Sequence, residues 1–82
     1  MHQRNEIPLN VPDIGDTGKI ELVSWSIEAG SEVEENQELC ELVTDKAAFP
    51  LESPYRGKII SILKSAGEVV KVGETLALLE KS

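Results

Sequence analysis

Few side chains in this sequence are equipped for chemistry, and one of them is conspicuously placed. The stretch "ELVTDKAAFPLES", residues 41 to 53, sets Lys46 between two short runs of strand-forming residues. Lys46 is the only base between Lys19 and Arg56. A Schiff-base lysine needs an apolar pocket that lowers its pKa, and a turn beside Asp45 is the opposite environment. The remaining chemical use of an amine on a projecting turn is attachment: it can be presented to a ligase and acylated. The plainer reading of any lysine is a solvated surface cation; the position of Lys46 at a predicted strand reversal separates it from the others.

The other candidates lead elsewhere. The chain has one cysteine, Cys40, and one histidine, His2, which excludes an internal disulfide and makes no zinc site. Cys40 lies in an apolar stretch and reads as a buried small hydrophobe. No metal is expected, and no catalytic residue is assigned. Fifteen acids against eight bases leave a net charge of −7, which repels phosphate backbones and anionic lipid surfaces. Neither nucleic acid nor membrane is an expected partner. Glu28, Glu32, Glu34, Glu35, Glu38 and Glu41 read as a solvated face that keeps the domain soluble.

The elements that must hold Lys46 are strands. Eighty-two residues allow one domain with a thin core, and with Trp25, Phe49 and Tyr55 as the only aromatics that core is aliphatic and β-branched. In "KIELVSWSI" the apolar residues nearly alternate, with no 3.6-residue stripe, and "GKIISILKS" from Gly57 repeats the pattern. Each segment ends on Ala-Gly, at Ala29-Gly30 and Ala66-Gly67, a turn signal. The opening "MHQRNE", residues 1 to 6, is expected to be a disordered segment, with one domain over 7–82.

The two halves align. Placing Gly30 on Gly67 pairs Val33 with Val70, Leu39 with Leu76, Cys40 with Ala77 and Leu42 with Leu79 at an offset of 37; upstream, "GKI" at Gly18 and Gly57 pairs at 39, as if two residues were inserted in the first copy. One copy alone buries too little, so the copies are expected to pack face to face as an all-β small sandwich or flattened barrel with a pseudo-twofold axis. Under that axis the tip at Asp45-Lys46 answers to Lys81-Ser82, which places Lys46 at the opposite end from the chain termini. In the hairpin, Cys40, Leu42 and Thr44 are expected on one face and Glu41 and Val43 on the other, with Phe49 and Leu51 returning to the core. Asp45 and Lys46 both tolerate a type I turn. Pro50, lacking an N–H, argues for an edge strand.

With these pieces in register, "VPDIGD" from Val11, "SWSIEAGSEVEENQEL" from Ser24, "VTDKA" from Val43, "ESPYRGKI" from Glu52 and "AGEVVKVGETLALLE" from Ala66 together resemble the lipoyl domain of 2-oxo acid dehydrogenase acyltransferases. The resemblance covers residues 7 to 80. It implies two four-stranded antiparallel sheets and lipoic acid joined by an amide to Lys46. It also implies a swinging-arm carrier of acyl groups and reducing equivalents, itself non-catalytic. The implied partners are a lipoate ligase or lipoyl transferase, a thiamine-dependent 2-oxo acid decarboxylase, an acyltransferase core and a dihydrolipoamide dehydrogenase; the isolated domain is expected to be monomeric. Recognition around the tip falls to Val43, Thr44, Asp45 and Ala47, with Asp16 and Thr17 nearby. With no apolar run near 18 residues and no signal-like start, the expected location is cytoplasmic, or the mitochondrial matrix in a eukaryote.

Val43, Pro50 and a short Gly15–Lys19 segment depart from the usual family pattern. The rival readings are a biotinyl carrier, which flanks its lysine with methionines where this chain has Asp45 and Ala47; a glycine-cleavage carrier, which lacks the "PDIG" opening; and a docking module without carrier turnover.

Overall fold

The computed structural model describes residues 6–13 and 19–82. Among them are eight strands and no helix: β1 (Glu6–Asn10), β2 (Ile20–Trp25), β3 (Glu32–Val33), β4 (Glu38–Val43), β5 (Ala48–Glu52), β6 (Gly57–Ile62), β7 (Val69–Val70) and β8 (Thr75–Lys81). They form two four-stranded sheets, ordered β1-β8-β6-β3 and β5-β4-β2-β7, and every pairing is antiparallel. The expected two-sheet all-β architecture is present as a flattened sandwich, not a closed barrel. Of the segment 1–6 expected to be disordered, residues 1–5 lie outside the described residues, and Glu6 is instead in β1, opposite Glu80.

The duplication is written into the pairings. Carrying β1 to β5, β2 to β6, β3 to β7 and β4 to β8 converts one strand order into the other. Glu21 faces Val43 as Lys58 faces Glu80, and each strand pair breaks register at the same place, between Leu22 and Ser24 and between Ile59 and Ser61. The turn hydrogen bonds repeat as well. The N–H of Gly30 donates to Ile59 O and that of Gly67 to Leu22 O, both at 2.7 Å. These two glycines have φ of 93° and 95°, a region costly for any residue with a Cβ.

One expectation is corrected here. Ile20 is opposite Val70, as Gly57 is opposite Val33, so the offset stays at 37 through β2 and β6, and Leu22, not Ile20, is the counterpart of Ile59. The "GKI" match is a coincidence of composition at the strand start. A different offset, 42, relates β1 to β5: Pro8 lies opposite Leu78, and Pro50 opposite Glu41. Both prolines sit on edge strands, as expected for Pro50.

The core has two mirrored parts. One gathers Val11, Ile20, Leu22, Cys40, Leu42, Val70 and Leu76; the other gathers Leu9, Val33, Leu39, Ile59, Ala77 and Leu79. Leu39 and Cys40 are adjacent yet both fully buried, because a bulge between Glu38 and Cys40 breaks the alternation. Leu39 thereby crosses into the second cluster, and its counterpart Leu76 crosses into the first. Each fully buried leucine contributes about 1.5–3 kcal/mol, so this exchange ties the two sheets together. Leu51, half-buried, packs against both clusters as expected; Phe49 is equally half-buried but packs against neither, so its expected return to the core is not met.

Candidate functional site: the lysine hairpin

β4 and β5 are joined by four residues, Thr44 to Ala47, after the last strand pair Val43–Ala48. The Thr44 N–H donates to Ala47 O at 2.8 Å. The Thr44 hydroxyl then closes the turn from inside: Oγ1 accepts the N–H of Lys46 at 3.1 Å and of Ala47 at 3.2 Å, and donates to Ala47 O at 3.3 Å. A side-chain oxygen here does what a backbone carbonyl does in an ordinary turn. Among the described non-glycine residues only Asn36 has positive φ, so Asp45 and Lys46 keep the negative φ expected of them and no glycine is needed.

The consequence is an amine on a rigid mount. Thr44 is 8 % exposed, while Asp45, Lys46 and Ala47 are all exposed. Among the described residues Lys46 makes no ion pair, and neither does Asp45. Val43 is half-buried. Asp16 and Thr17 lie outside the described residues. The role of Thr44 in fixing the turn was missed in the sequence, where a hydroxyl residue one place before Asp-Lys is the available signal.

Glu6 and the C-terminal Lys81-Ser82 lie away from this hairpin. β5 leaves the tip at Ala48 and ends at Glu52; four residues later Gly57 pairs with Lys81, and Glu6 pairs with the neighbouring Glu80. The Ser82 N–H donates to Arg56 O at 3.0 Å. The expected separation of Lys46 from Lys81-Ser82 is therefore met, and Glu6, the first described residue, lies at the same far end.

Among the described residues nothing near Lys46 is arranged for catalysis. A shallow depression lined by Gly30, Lys58, Ile59, Ile60 and Glu80 belongs to the other sheet. Among the described residues no cluster of His, Cys, Asp and Glu is arranged to hold a metal ion. Cys40 is fully buried, and its thiol is pushed up to about 12, by desolvation first and by the charge of Glu38 second. A thiol so protonated at neutral pH is no nucleophile.

Comparison with known proteins agrees with this geometry. The branched-chain alpha-keto acid dehydrogenase lipoamide acyltransferase component of Pseudomonas aeruginosa is 40 % identical over 88 % of this chain, and the mitochondrial counterpart from Arabidopsis thaliana is 46 % identical over 72 %. The chain spans only 17 % and 12 % of the length of those two relatives. The solution structure of the lipoyl domain of the Azotobacter vinelandii 2-oxoglutarate dehydrogenase complex superposes with a TM-score of 0.77, over 92 % of this chain and 96 % of that one, at 24 % identity. Part of a long-chain acyl-CoA carboxylase, 8 % of its chain, superposes on all of this one with a TM-score of 0.80 at 20 % identity. These likenesses show the shared fold. Residues 7–79 match the biotin and lipoyl attachment-domain family, described as "Biotin-requiring enzyme", and the chain belongs to that family.

Proposed function

We propose that this chain is the lipoyl carrier domain of a 2-oxo acid dehydrogenase complex acyltransferase, with lipoic acid amide-linked to Lys46. The observation that carries the reading is the exposed amine on a turn locked by Thr44. An amide bond to Lys46 asks for an accessible Nζ and a backbone that holds still, and this hairpin offers both. Once attached, the lipoyl group supplies the acyl-accepting and redox chemistry. The residues of this chain supply position: Thr44 fixes the turn, Asp45 and Ala47 flank the amine, and the sandwich holds the lysine away from Glu6 and from the C-terminal Lys81-Ser82. Tethering of such a domain raises its effective concentration at each partner site.

The partners proposed are a lipoate ligase, a thiamine-dependent decarboxylase, an acyltransferase core and a dihydrolipoamide dehydrogenase. The similarity to branched-chain acyltransferase components makes branched 2-oxo acids the first substrates to assay. Asp45 and Ala47, where methionines would flank a biotinyl lysine, favour lipoylation over biotinylation. Mass analysis of protein from the native host tests this: a lipoyl adduct on Lys46 is expected, and a biotinyl adduct or none would overturn it. Reductive acylation of the lipoylated domain by decarboxylases supplied with branched 2-oxo acids, pyruvate or 2-oxoglutarate then identifies the complex.

A further inference from the structure

Besides Lys46 the chain has five lysines, Lys19, Lys58, Lys64, Lys71 and Lys81, and the structure sorts them by end and by partner. Lys58 and Lys81 belong to the far end, in the pairs Lys58–Glu80 and Gly57–Lys81, and Lys81 also lies over the Tyr55 ring, 4.4 Å from its centre. Lys64 is held by Glu74 at 3.0 Å. The hydrogen bond and then the charge of Glu74 raise the pKa of Lys64, which keeps that amine protonated. Lys19 and Lys71 are left. Both are exposed, and neither makes an ion pair among the described residues.

Register brings these two amines to the lysine hairpin. β2 pairs with β7 through Ile20–Val70 and with β4 through Glu21–Val43. One residue past the first pair, Lys19 comes level with Lys71; two residues past the second, it comes level with Asp45. At ordinary strand spacing the backbones of Lys19 and Lys71 therefore stand roughly 5 and 10 Å sideways from the hairpin. A lipoyl group amide-linked to Lys46 puts its outer sulfur about fourteen bonds from the Lys46 Cα, a reach of roughly 15 Å at ordinary bond lengths. Lys19 and Lys71 fall inside that radius, whereas Lys58 and Lys81 lie a strand length further off, about 20 Å at the usual rise per residue. The fold does not ask for lysine at either place: Arg56 precedes β6 as Lys19 precedes β2, and Glu34 stands where the other half has Lys71.

We propose that Lys19 and Lys71 are secondary acylation sites, which take the acyl group from the thioester carried on Lys46 when an acylated domain is not discharged by its acyltransferase. The proposal rests on the carrier reading above and adds a modification that the carrier makes on itself. In the step, the unprotonated Nζ of either lysine attacks the thioester carbonyl; a C–N bond forms, the C–S bond breaks, and the proton lost by the amine passes to the departing thiolate. Nothing is oxidised or reduced, so the dithiol is left in its reduced form and the acyl group becomes a stable amide. Tethering replaces a dilute encounter by an effective concentration in the millimolar range and holds donor and acceptor together. An idle carrier thus empties itself and keeps a permanent record of having waited.

The test follows the acyl group by mass. The domain is lipoylated, acylated by the decarboxylase that accepts it, freed of that enzyme and held at pH 8.5, where more of any lysine is unprotonated. Neutral hydroxylamine then removes thioesters and leaves amides, and peptide mapping locates what remains. We expect hydroxylamine-resistant acyl groups on Lys19 and Lys71, at least about tenfold above Lys58 and Lys81, as millimolar tethering against micromolar encounter requires. Their rate of formation should not depend on protein concentration, Lys46→Arg domain mixed in as an unloaded tracer should gain about a tenth as much or less, and loaded K19R/K71R should form no such adduct at positions 19 and 71. Adducts spread evenly over all lysines, a rate that rises with protein concentration, or loss of the thioester with no resistant adduct would each overturn the proposal. A wild-type domain that is never lipoylated, or never acylated by any decarboxylase of the panel, carries no thioester at the start; that result refutes the carrier reading, and this proposal with it, and is told apart from the others on that ground.

Discussion

The Thr44 hydroxyl and the backbone N–H of Lys46 are joined by a 3.1 Å hydrogen bond, so the residue that fixes the lysine's direction is buried two places before it. Thr44→Val keeps the shape and removes the oxygen, leaving the N–H groups of Lys46 and Ala47 without their acceptor. A loss of about 1–2 kcal/mol is expected in urea denaturation, with slower lipoylation of Lys46. Thr44→Ser, which retains the oxygen, should recover both. Equal behaviour of Val and Ser would show that the hydroxyl does not hold the turn.

Lys46→Arg is expected to fold as the wild type does and to carry no lipoyl group, because a guanidinium is not an acylatable amine. Lys46→Ala should change stability by no more than about 0.5 kcal/mol, as befits an exposed side chain without an ion pair. Intact-mass measurement after co-expression with the ligase checks the first, and chemical denaturation the second. Lipoylation appearing on another lysine would refute the assignment.

Leu42 and Leu79 are fully buried and occupy equivalent places, Leu42 opposite Leu22 and Leu79 opposite Ile59. Leu42→Ala and Leu79→Ala are each expected to cost about 2–4 kcal/mol, and by similar amounts. Denaturation midpoints that differ widely would mean that the two core clusters are not energetic equivalents.

Cys40 should be inert to iodoacetamide in the folded domain at pH 8 and react only as the chain unfolds. Its thiol stays protonated in the folded state up to about pH 12, against 9.0 for an ordinary thiol. The unfolded chain therefore releases this proton first, and the associated stability is present below pH 9 and lost as pH rises toward 12. Cys40→Ala should flatten that alkaline decline and be tolerated at a cost of about 1 kcal/mol, since the equivalent position is Ala77. A rapidly alkylated native thiol would contradict this.

Much of this was legible in the sequence because a strand's period of two and a repeated turn signal survive in one-dimensional text. The pairs Val33–Val70 and Leu42–Leu79 rest on those signals, and the edge position of Pro50 on its missing N–H. Where they failed, a bulge or a chance match intervened. Leu39 and Cys40 are buried together because the bulge beside them turns two successive side chains inward, which strict alternation forbids. The "GKI" at Gly18 outweighed the register because identical letters are visible and hydrogen-bond pairing is not. The hydrogen bonds of Thr44 depend on how far the turn folds back over its own side chain, a distance that no residue spacing encodes.

The placement of Pro8 and Pro50 bears on life in a crowd. A sheet's outermost strands are templates on which a neighbouring chain can add itself, and that hazard grows with local concentration. Here two of the four outer strands, β1 and β5, each carry a proline that cannot donate, and the other two, β3 and β7, are two residues long. Neither sheet offers a long run of open donors and acceptors. Copies of this domain can therefore collide and separate again without adding strand to strand.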